Sequence, residues 1–383
     1  MIEFQLIDND KDLNDACEQI SQADVIALDT EFVRDYNYLP RLGLIQIAAS
    51  NKIYLIDPIT CNLDPIFSIF TNEKILKVMH SAGQDCDVLY KNFQIIPKPI
   101  FDTQIAGSIV GIGDNISYQK LVKRFSHKTL NKDTKLTNWI ARPLDPNQLN
   151  YAANDVKYLC SIKIKLNGMI TDSDRSSLMI EETETLYNSA QYSNIHLNAW
   201  QKISTVNQRP YFLNYLRQYA AIRERICQEQ DKLKRHVISD DLLSELAKLQ
   251  PSCEHDIKQH RLLAYKLNKK LWPEILAVSE QIKADQETEI PSKKSYILNN
   301  SQEVIYNFLK LLLQDAAVKN SISPRIIATT IELKKFIKTG EDTNFMHGKR
   351  YEIFGKQAQD LMDGKLSFSI KDGELKITKL ENN

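Results

Sequence analysis

The chain has 383 residues, of which 43% are hydrophobic and 26% are charged, as in an average globular protein. Its 49 basic residues balance its 49 acidic residues, so no global field attracts nucleic acid and any basic surface must be local. The beginning lacks the basic and apolar regions of a signal peptide, and no apolar run approaches the length of a membrane span.

Short apolar segments alternate with helical patterns through the first part of the chain. Strands are expected at Phe4–Ile7, Val25–Phe32, Arg41–Ala49, Lys52–Asp57, Ile75–Met79 and Ile100–Asp102. The link between the third and fourth of these, Ser50–Asn51, is short enough to predict a hairpin. Helices are expected at Lys11–Ser21, at Pro65–Thr71, around Val88 to Phe93, and from Asp102 to about Asn167. Strands that alternate with helices indicate an α/β domain with a mixed sheet.

Two acidic residues, Asp29 and Glu31, stand at the end of a strand that otherwise reads as buried. Because strand side chains alternate between faces, the two carboxylates are expected on the same side. Two like charges at the end of a buried strand are costly unless a positive partner joins them, and hard divalent cations prefer carboxylate oxygens. The alternative is a strand that simply runs out into solvent at Asp29.

Two further acids and a tyrosine need separate consideration. Asp85 falls in the first turn of a helix that follows a strand, where a helix cap or a partner of the helix dipole is the simpler interpretation. Tyr151 and Asp155 are four residues apart on a helix opened by Asp145 and Pro146, so they lie on one helical face. Taken alone, such a pair is usually only a helix surface.

Together these residues resemble the three motifs of the DEDD 3′–5′ exonucleases. Tyrosine four residues before the last acid is similar to the tyrosine subclass, since the histidine position of the other subclass holds Asn150. Longer strings resemble the ribonuclease D family and occur in its order: Asp29–Arg34, Pro40–Ala48, His80–Asp85, Asn138–Leu144 and the block around Tyr151. Agreement of several ordered strings is far more specific than any one of them.

The resemblance implies a ribonuclease H-like fold with two bound divalent cations, Mg²⁺ or Mn²⁺. Its implied metal ligands are Asp29, Glu31, Asp85 and Asp155. Four carboxylates without histidine or cysteine suit a hard cation better than zinc. Tyr151 is the implied catalytic residue, and its phenol, with an ordinary pKa of about 10, is better suited to positioning a water molecule than to deprotonating it. The expected product is a nucleoside 5′-monophosphate released from a 3′ end.

Two residues are candidates for substrate binding. Phe32 lies beside the expected metal site and is a candidate for stacking on the terminal base, although its strand parity is opposite to that of Glu31 and favours the core. Arg142 is a candidate for contacting a phosphate.

Beyond the exonuclease motifs the pattern becomes helical, and it resembles the two HRDC domains of the family. The predicted division is an exonuclease domain at 1–168, a helical connector at 169–206, an HRDC domain at 207–285 and a second HRDC-like domain at 296–383. The connector includes a helix expected over Leu178–Asn207, the polar linker spans 284–294, and a hairpin turning at Asp372–Gly373 is expected near the end. Local basic residues are candidates for contacting RNA or are simply solvated: Arg217, Arg223, Arg225, Lys232, Lys234 and Arg235.

The sequence therefore predicts a 3′–5′ exoribonuclease that trims structured RNA, and the resemblance points to the 3′ ends of tRNA precursors. The six cysteines are scattered without Cys-x-x-Cys spacing, which is typical of reduced thiols and favours the cytoplasm. No membrane association and no obligate protein partner are expected. A DNA exonuclease of the same fold and a catalytically silent RNA-binding protein stay open as alternatives.

Overall fold

The computed structural model describes residues 3–34, 37–130, 138–188, 198–205, 207, 209–284 and 296–380. A six-stranded sheet forms the centre of the first part, with strand order β1-β4-β3-β2-β5-β6. Its strands are β1 Gln5–Ile7, β2 Val25–Val33, β3 Arg41–Ala49, β4 Lys52–Ile56, β5 Leu76–Met79 and β6 Ile100–Asp102. The strand β3 runs antiparallel to β2 and β4, whereas the other pairs are parallel. The expected mixed sheet is confirmed.

Eight α-helices accompany the sheet within the described part of the chain. They are α1 Asp10–Ile20, α2 Asp64–Thr71, α3 Gly83–Phe93, α4 Thr103–Ile109, α5 Tyr118–Ser126, α6 Pro146–Lys157, α7 Leu159–Asp172 and α8 Ser176–Tyr187. The hairpin between β3 and β4 turns at Ser50 and Asn51, whose φ angles of 49° and 66° are those of a tight two-residue turn.

The sheet separates two hydrophobic cores, and β2 contributes to both. Ile26 and Leu28 belong to one core, together with residues of α1, α2 and α3. Ala27 belongs to the other core, together with residues of α4, α5, α6 and α7. Because the strand alternates, the positions after Ala27 with the same parity, Asp29 and Glu31, face the side that α6 covers.

The described residues beyond α8 form helices and their connections, apart from a terminal hairpin. Its α-helices are α9 Pro210–Gln230, α10 Lys234–Val237, α11 Asp240–Leu249, α12 Glu254–Gln259, α13 Arg261–Lys266, α14 Trp272–Ala284, α15 Asn300–Asn320, α16 Pro324–Ile327, α17 Thr330–Thr339, α18 Gly348–Arg350 and α19 Lys356–Met362. The hairpin pairs β7 Leu366–Lys371 with β8 Glu374–Lys379 around Asp372–Gly373, as expected. Among the described residues, none of the helices combines the length and apolarity needed to cross a membrane.

The two helical units attach to the sheet domain differently. The first helical unit, the described residues of 199–284, has a core of its own that includes Trp200, Leu216 and Leu243. The second helical unit, residues 296–380, has no separate core in the described structure, because Leu312 and its neighbours belong to the apolar cluster that also contains Ile109.

The expected helix over Leu178–Asn207 is wrong as a continuous element. The helix α8 ends at Tyr187, where Asn188 turns to an extended backbone with φ −69° and ψ 93°. Asparagine has a low helix propensity, and the Tyr187 hydroxyl accepts a 2.6 Å hydrogen bond from the Ile100 backbone, which fixes the helix end against β6. Residues 189–197 and nearly all of the predicted linker lie outside the described residues. The predicted boundary at 168 falls inside α7, and the domain division stays a prediction.

Candidate active site

The strand β2 places Asp29 and Glu31 on one face of the sheet. In the antiparallel register Asp29 lies opposite Gln46 and Glu31 lies opposite Leu44. A β-bulge follows directly, between Glu31 and Phe32, so it does not disturb the common face of the two acids. Both acidic side chains are partly exposed, as the expected metal site requires.

The third acid, Asp85, occupies the first turn of α3 and is almost fully buried. It is not the N-cap, which is Ala82 and has no side-chain cap. The Thr30 hydroxyl of β2 donates a hydrogen bond to the Asp85 carboxylate and ties α3 to the strand of the first two acids. Burial raises the pKa of Asp85 to about 7, although this hydrogen bond opposes the shift.

The fourth acid, Asp155, lies on α6 one turn beyond Tyr151. This helix begins with a capping box between Asp145 and Gln148 and packs across β2, β3 and β4. The Tyr151 hydroxyl donates a hydrogen bond to Asp155, and burial followed by the charges of Asp155 and Glu31 raises the Tyr151 pKa far above its ordinary value. Tyr151 therefore stays protonated and acts as a hydrogen-bond donor.

The four acids converge, as the electrostatics of Asp29 show. Burial raises the pKa of Asp29 well above its usual range, and the charges of Asp85, Asp155 and Glu31 add to the effect in that order. Acids from one strand, β2, and two helices, α3 and α6, thus form one negatively charged pocket. This mutual repulsion is relieved only by protons or by cations.

No three His, Cys, Asp or Glu side chains within the described ranges are placed so that they already chelate an ion. Hydroxyl groups engage two of the four acids instead, since Thr30 binds Asp85 and Tyr151 binds Asp155. The donor set itself is made entirely of carboxylate oxygens, which fits Mg²⁺ or Mn²⁺ and not a soft metal. The residues therefore fit the predicted cations in the chemistry of their donor atoms.

Phe32 faces away from the acids. Its ring packs partly against the opposite core, and the Arg34 guanidinium lies 5.0 Å from the ring centre. The side chain is partly exposed. Stacking on a terminal base stays a prediction.

Arg142 has a structural role that sequence reasoning missed. It forms a bidentate pair with Asp57 at 2.5 and 2.7 Å, and its remaining N–H groups donate to the backbone oxygens of Trp139, Ala141 and Gly43 at 2.8, 3.0 and 2.8 Å. All five donors of the guanidinium are used within the protein. No donor is left for a phosphate, so we do not retain Arg142 as a substrate-binding residue.

Arg223 is likewise structural among the basic residues considered for RNA. It is buried between Glu224 and Asp240, to which its guanidinium donates at 3.2 and 2.5 Å. Lys234 pairs with the same Glu224 at 2.8 Å. Arg223 and Lys234 are thus both paired with acids of the first helical unit.

His80 belongs to the same face of the sheet, which its position at the end of β5 did not reveal. The parallel register pairs Ala27 with Val78, so the next residues of the same parity are Asp29 and His80. The Thr103 hydroxyl donates to the Met79 carbonyl at 3.0 Å, so the 2.9 Å contact between His80 Nδ1 and Thr103 places the hydrogen on Nδ1. The sequence signal was the family-like spacing of His80 and Asp85.

The fold and this pocket define a class of protein, the 3′–5′ exonucleases. Residues 4–171 match the family model described as 3′–5′ exonuclease. The chain is 37% identical to ribonuclease D of Bartonella henselae over 98% of this chain and 94% of that protein. It is 33% identical to ribonuclease D of Zymomonas mobilis over 98% of both.

A solved structure extends the likeness to the whole chain. Escherichia coli RNase D, described as an exoribonuclease involved in structured RNA processing, superposes with a TM-score of 0.81 at 26% identity, covering 95% of this chain and 99% of that one. The chain therefore belongs to the ribonuclease D family and is a 3′–5′ exoribonuclease. The predicted fold class, with its helical C-terminal part, is confirmed with it.

Proposed function

We propose that this exoribonuclease uses two divalent cations, Mg²⁺ or Mn²⁺, held by Asp29, Glu31, Asp85 and Asp155. The observation that carries the proposal is the convergence of four carboxylates on one face of the sheet, where each of the other three makes ionisation of Asp29 harder. A cluster of four mutually repelling carboxylates is costly unless cations normally balance its charge. The cations, when bound, supply Lewis acidity at the attacked phosphate and lower the pKa of a bound water.

The residues of the chain position the reacting groups. The strand β2 presents two of the carboxylates that would hold the cations, and α3 and α6 bring the other two acids beside them. Tyr151, which remains protonated, donates its single hydroxyl hydrogen to Asp155, and its oxygen orients a water molecule by accepting a hydrogen bond from it. The product expected from attack at the terminal phosphodiester is a nucleoside 5′-monophosphate.

The proposed substrate is the 3′ end of tRNA precursors. Support comes from the similarity to E. coli RNase D, which is described as acting in structured RNA processing. The proposed location is the cytoplasm, which the six free cysteines favour because thiols stay reduced there. No obligate protein partner is proposed.

The site assignment is tested with Asp29→Asn and Asp155→Asn. Both substitutions keep size and remove a charge, so we expect hydrolysis of a 3′-extended tRNA to be abolished with little loss of folding. The matched control is Asp87→Asn, because Asp87 lies on the same helix as Asp85 but pairs with Arg34 and Lys91 at 3.1 and 2.9 Å. Normal hydrolysis by either site variant would refute the assignment.

The substrate and the cations are tested with the unmodified protein. Labelled RNA, DNA of the same sequence and a tRNA with extra 3′ nucleotides are digested side by side with Mg²⁺, Mn²⁺ or chelator. We expect cleavage of both RNA substrates with either cation, little cleavage of DNA and none with chelator. Hydrolysis that survives chelation would overturn the cation proposal, and equal digestion of DNA would overturn the preference for RNA.

A further inference from the structure

Gln46 is a fully buried glutamine whose side-chain amide has no hydrogen-bond partner. It lies in the middle of β3, and both its Oε1 and its Nε2 are unpaired. An unpaired buried amide costs free energy that an apolar side chain of the same size would not. From Leu42 to Ala49 every other residue is apolar or glycine. Packing alone therefore does not explain why a glutamine stands there.

The register shows what the amide can reach. Gln46 lies directly opposite Asp29 in the β2–β3 pair, and side chains in such positions stand about 4.5–5.5 Å apart at Cβ. Its neighbours of the same parity, Leu44 and Ala48, pack in the core that α6 covers. The amide is thus on the face of the four acids, beside Asp29.

A carboxylate that binds a cation needs a second partner to fix the direction of its oxygens, and amide donors commonly fill that role. Gln46 is placed to do so without being a ligand itself. The unpaired amide needs a partner, and the Asp29 carboxyl group is the polar group that the register places directly opposite it.

We infer that Gln46 is a positioning residue, whose Nε2 donates a hydrogen bond to the Asp29 carboxylate when that carboxylate holds a divalent cation. The inference rests on the proposed cation site. The strand β3, which pairs antiparallel with β2, thus helps to orient a cation ligand in addition to packing in the core.

The test is Gln46→Met, which keeps the volume and removes both polar atoms. Titration of the full chain with Mn²⁺ alone should give a dissociation constant at least about tenfold weaker than that of the unmodified chain. The melting temperature in chelator should rise by about 2–4 °C, because an unpaired amide has been removed. A merely structural glutamine would give the opposite pattern, with lower stability and unchanged Mn²⁺ affinity, and that result would overturn the inference.

Gln46→Leu repeats the experiment so that the result does not depend on how one side chain packs. The matched control is Thr343→Val, since Thr343 also has a buried unpaired side-chain oxygen but lies in the second helical unit. Its Mn²⁺ affinity should not change. If the unmodified chain binds no Mn²⁺, the proposed cation site fails; if it binds and Gln46→Met binds equally well, only the role of Gln46 fails.

Discussion

The two helical units of the chain are joined to the same sheet domain by different forces. The second helical unit merges its core with that of α4 and α7, so Leu312, Phe345 and Ile109 form part of one apolar cluster. The first helical unit closes its own core around Leu216. It reaches the sheet domain through polar contacts of the loop that follows β2.

Those polar contacts involve three consecutive residues of the loop. The Asn37 side chain and the Leu39 backbone donate hydrogen bonds to Asp231 at the end of α9, the latter at 2.9 Å. The Tyr38 hydroxyl donates to Glu224 at 2.8 Å. A shared apolar core ties two regions into one cooperative unit, whereas a few hydrogen bonds each contribute about 0.5–1.5 kcal/mol and open more easily. The first helical unit should therefore separate from the sheet domain at a lower free energy than the second helical unit.

The largest expected effect comes from Leu312→Ala, which breaks the shared core. Leu312 is fully buried, and removing such a side chain costs about 2–5 kcal/mol of unfolding free energy. Because the core is continuous, the sheet domain and the second helical unit should both lose stability in one transition, followed by calorimetry and by circular dichroism. The matched control is Leu311→Ala, one residue earlier and 43% exposed.

A Leu312→Ala variant in which the second helical unit melts first, while exonuclease activity persists, would contradict the shared core. The same result in the Leu311→Ala control would show only that α15 is sensitive to any change.

Features that depend on neighbouring residues could be predicted from the sequence. Contacts between residues far apart in the sequence could not. Strand parity placed Asp29 and Glu31 together, and Asp145 and Pro146 marked the start of α6, because these are properties of neighbouring residues. The use of Arg142 depends on Asp57, 85 residues away in the sequence, and no local period encodes that pairing. Gln46 reads simply as one polar residue in an apolar strand until the register places it opposite Asp29.

Which helical unit shares the core of the sheet was equally hidden. Both units present amphipathic helices of 21 residues, α9 and α15, that end in a left-handed cap. An amphipathic helix shows that one face is buried but not against what. The choice of neighbour is made by tertiary packing.

A smaller effect is expected from Tyr38→Phe, which removes one of the hydrogen bonds between the loop after β2 and the first helical unit. Glu224 is fully buried but keeps its pairs with Arg223 and Lys234 at 3.2 and 2.8 Å, so losing the tyrosine donor does not leave it bare. We expect a loss of about 0.5–1.5 kcal/mol and faster amide hydrogen exchange confined to residues 37–39. The matched control is Tyr211→Phe, since Tyr211 lies on α9, the helix that carries Glu224, but is 69% exposed. It should change neither the stability nor the amide exchange.

If amide exchange in Tyr38→Phe accelerated throughout the sheet domain, the polar contacts of residues 37–39 would contribute to the stability of the whole domain. The two helical units would then not differ in how they are coupled to it.

The smallest effect is expected from lowering the pH, which protonates Asp231, the acceptor of the hydrogen bonds from Asn37 and Leu39. Burial pushes the pKa of Asp231 up, but hydrogen bonds from the Asn37 side chain and from the backbone of Leu39 and Tyr38 outweigh it, so the pKa lies below its usual value. An unfolded aspartate titrates near 3.9, so a lowered folded pKa means that the stabilisation is complete above about pH 4 and is lost as the pH falls through the folded value. The protection of the Leu39 amide, corrected for intrinsic exchange, should therefore stay constant from neutral pH down to about 4 and decline below it. In Asp231→Asn the same protection should have no titration there, and a decline identical to that of the unmodified chain would assign the acid sensitivity to another group.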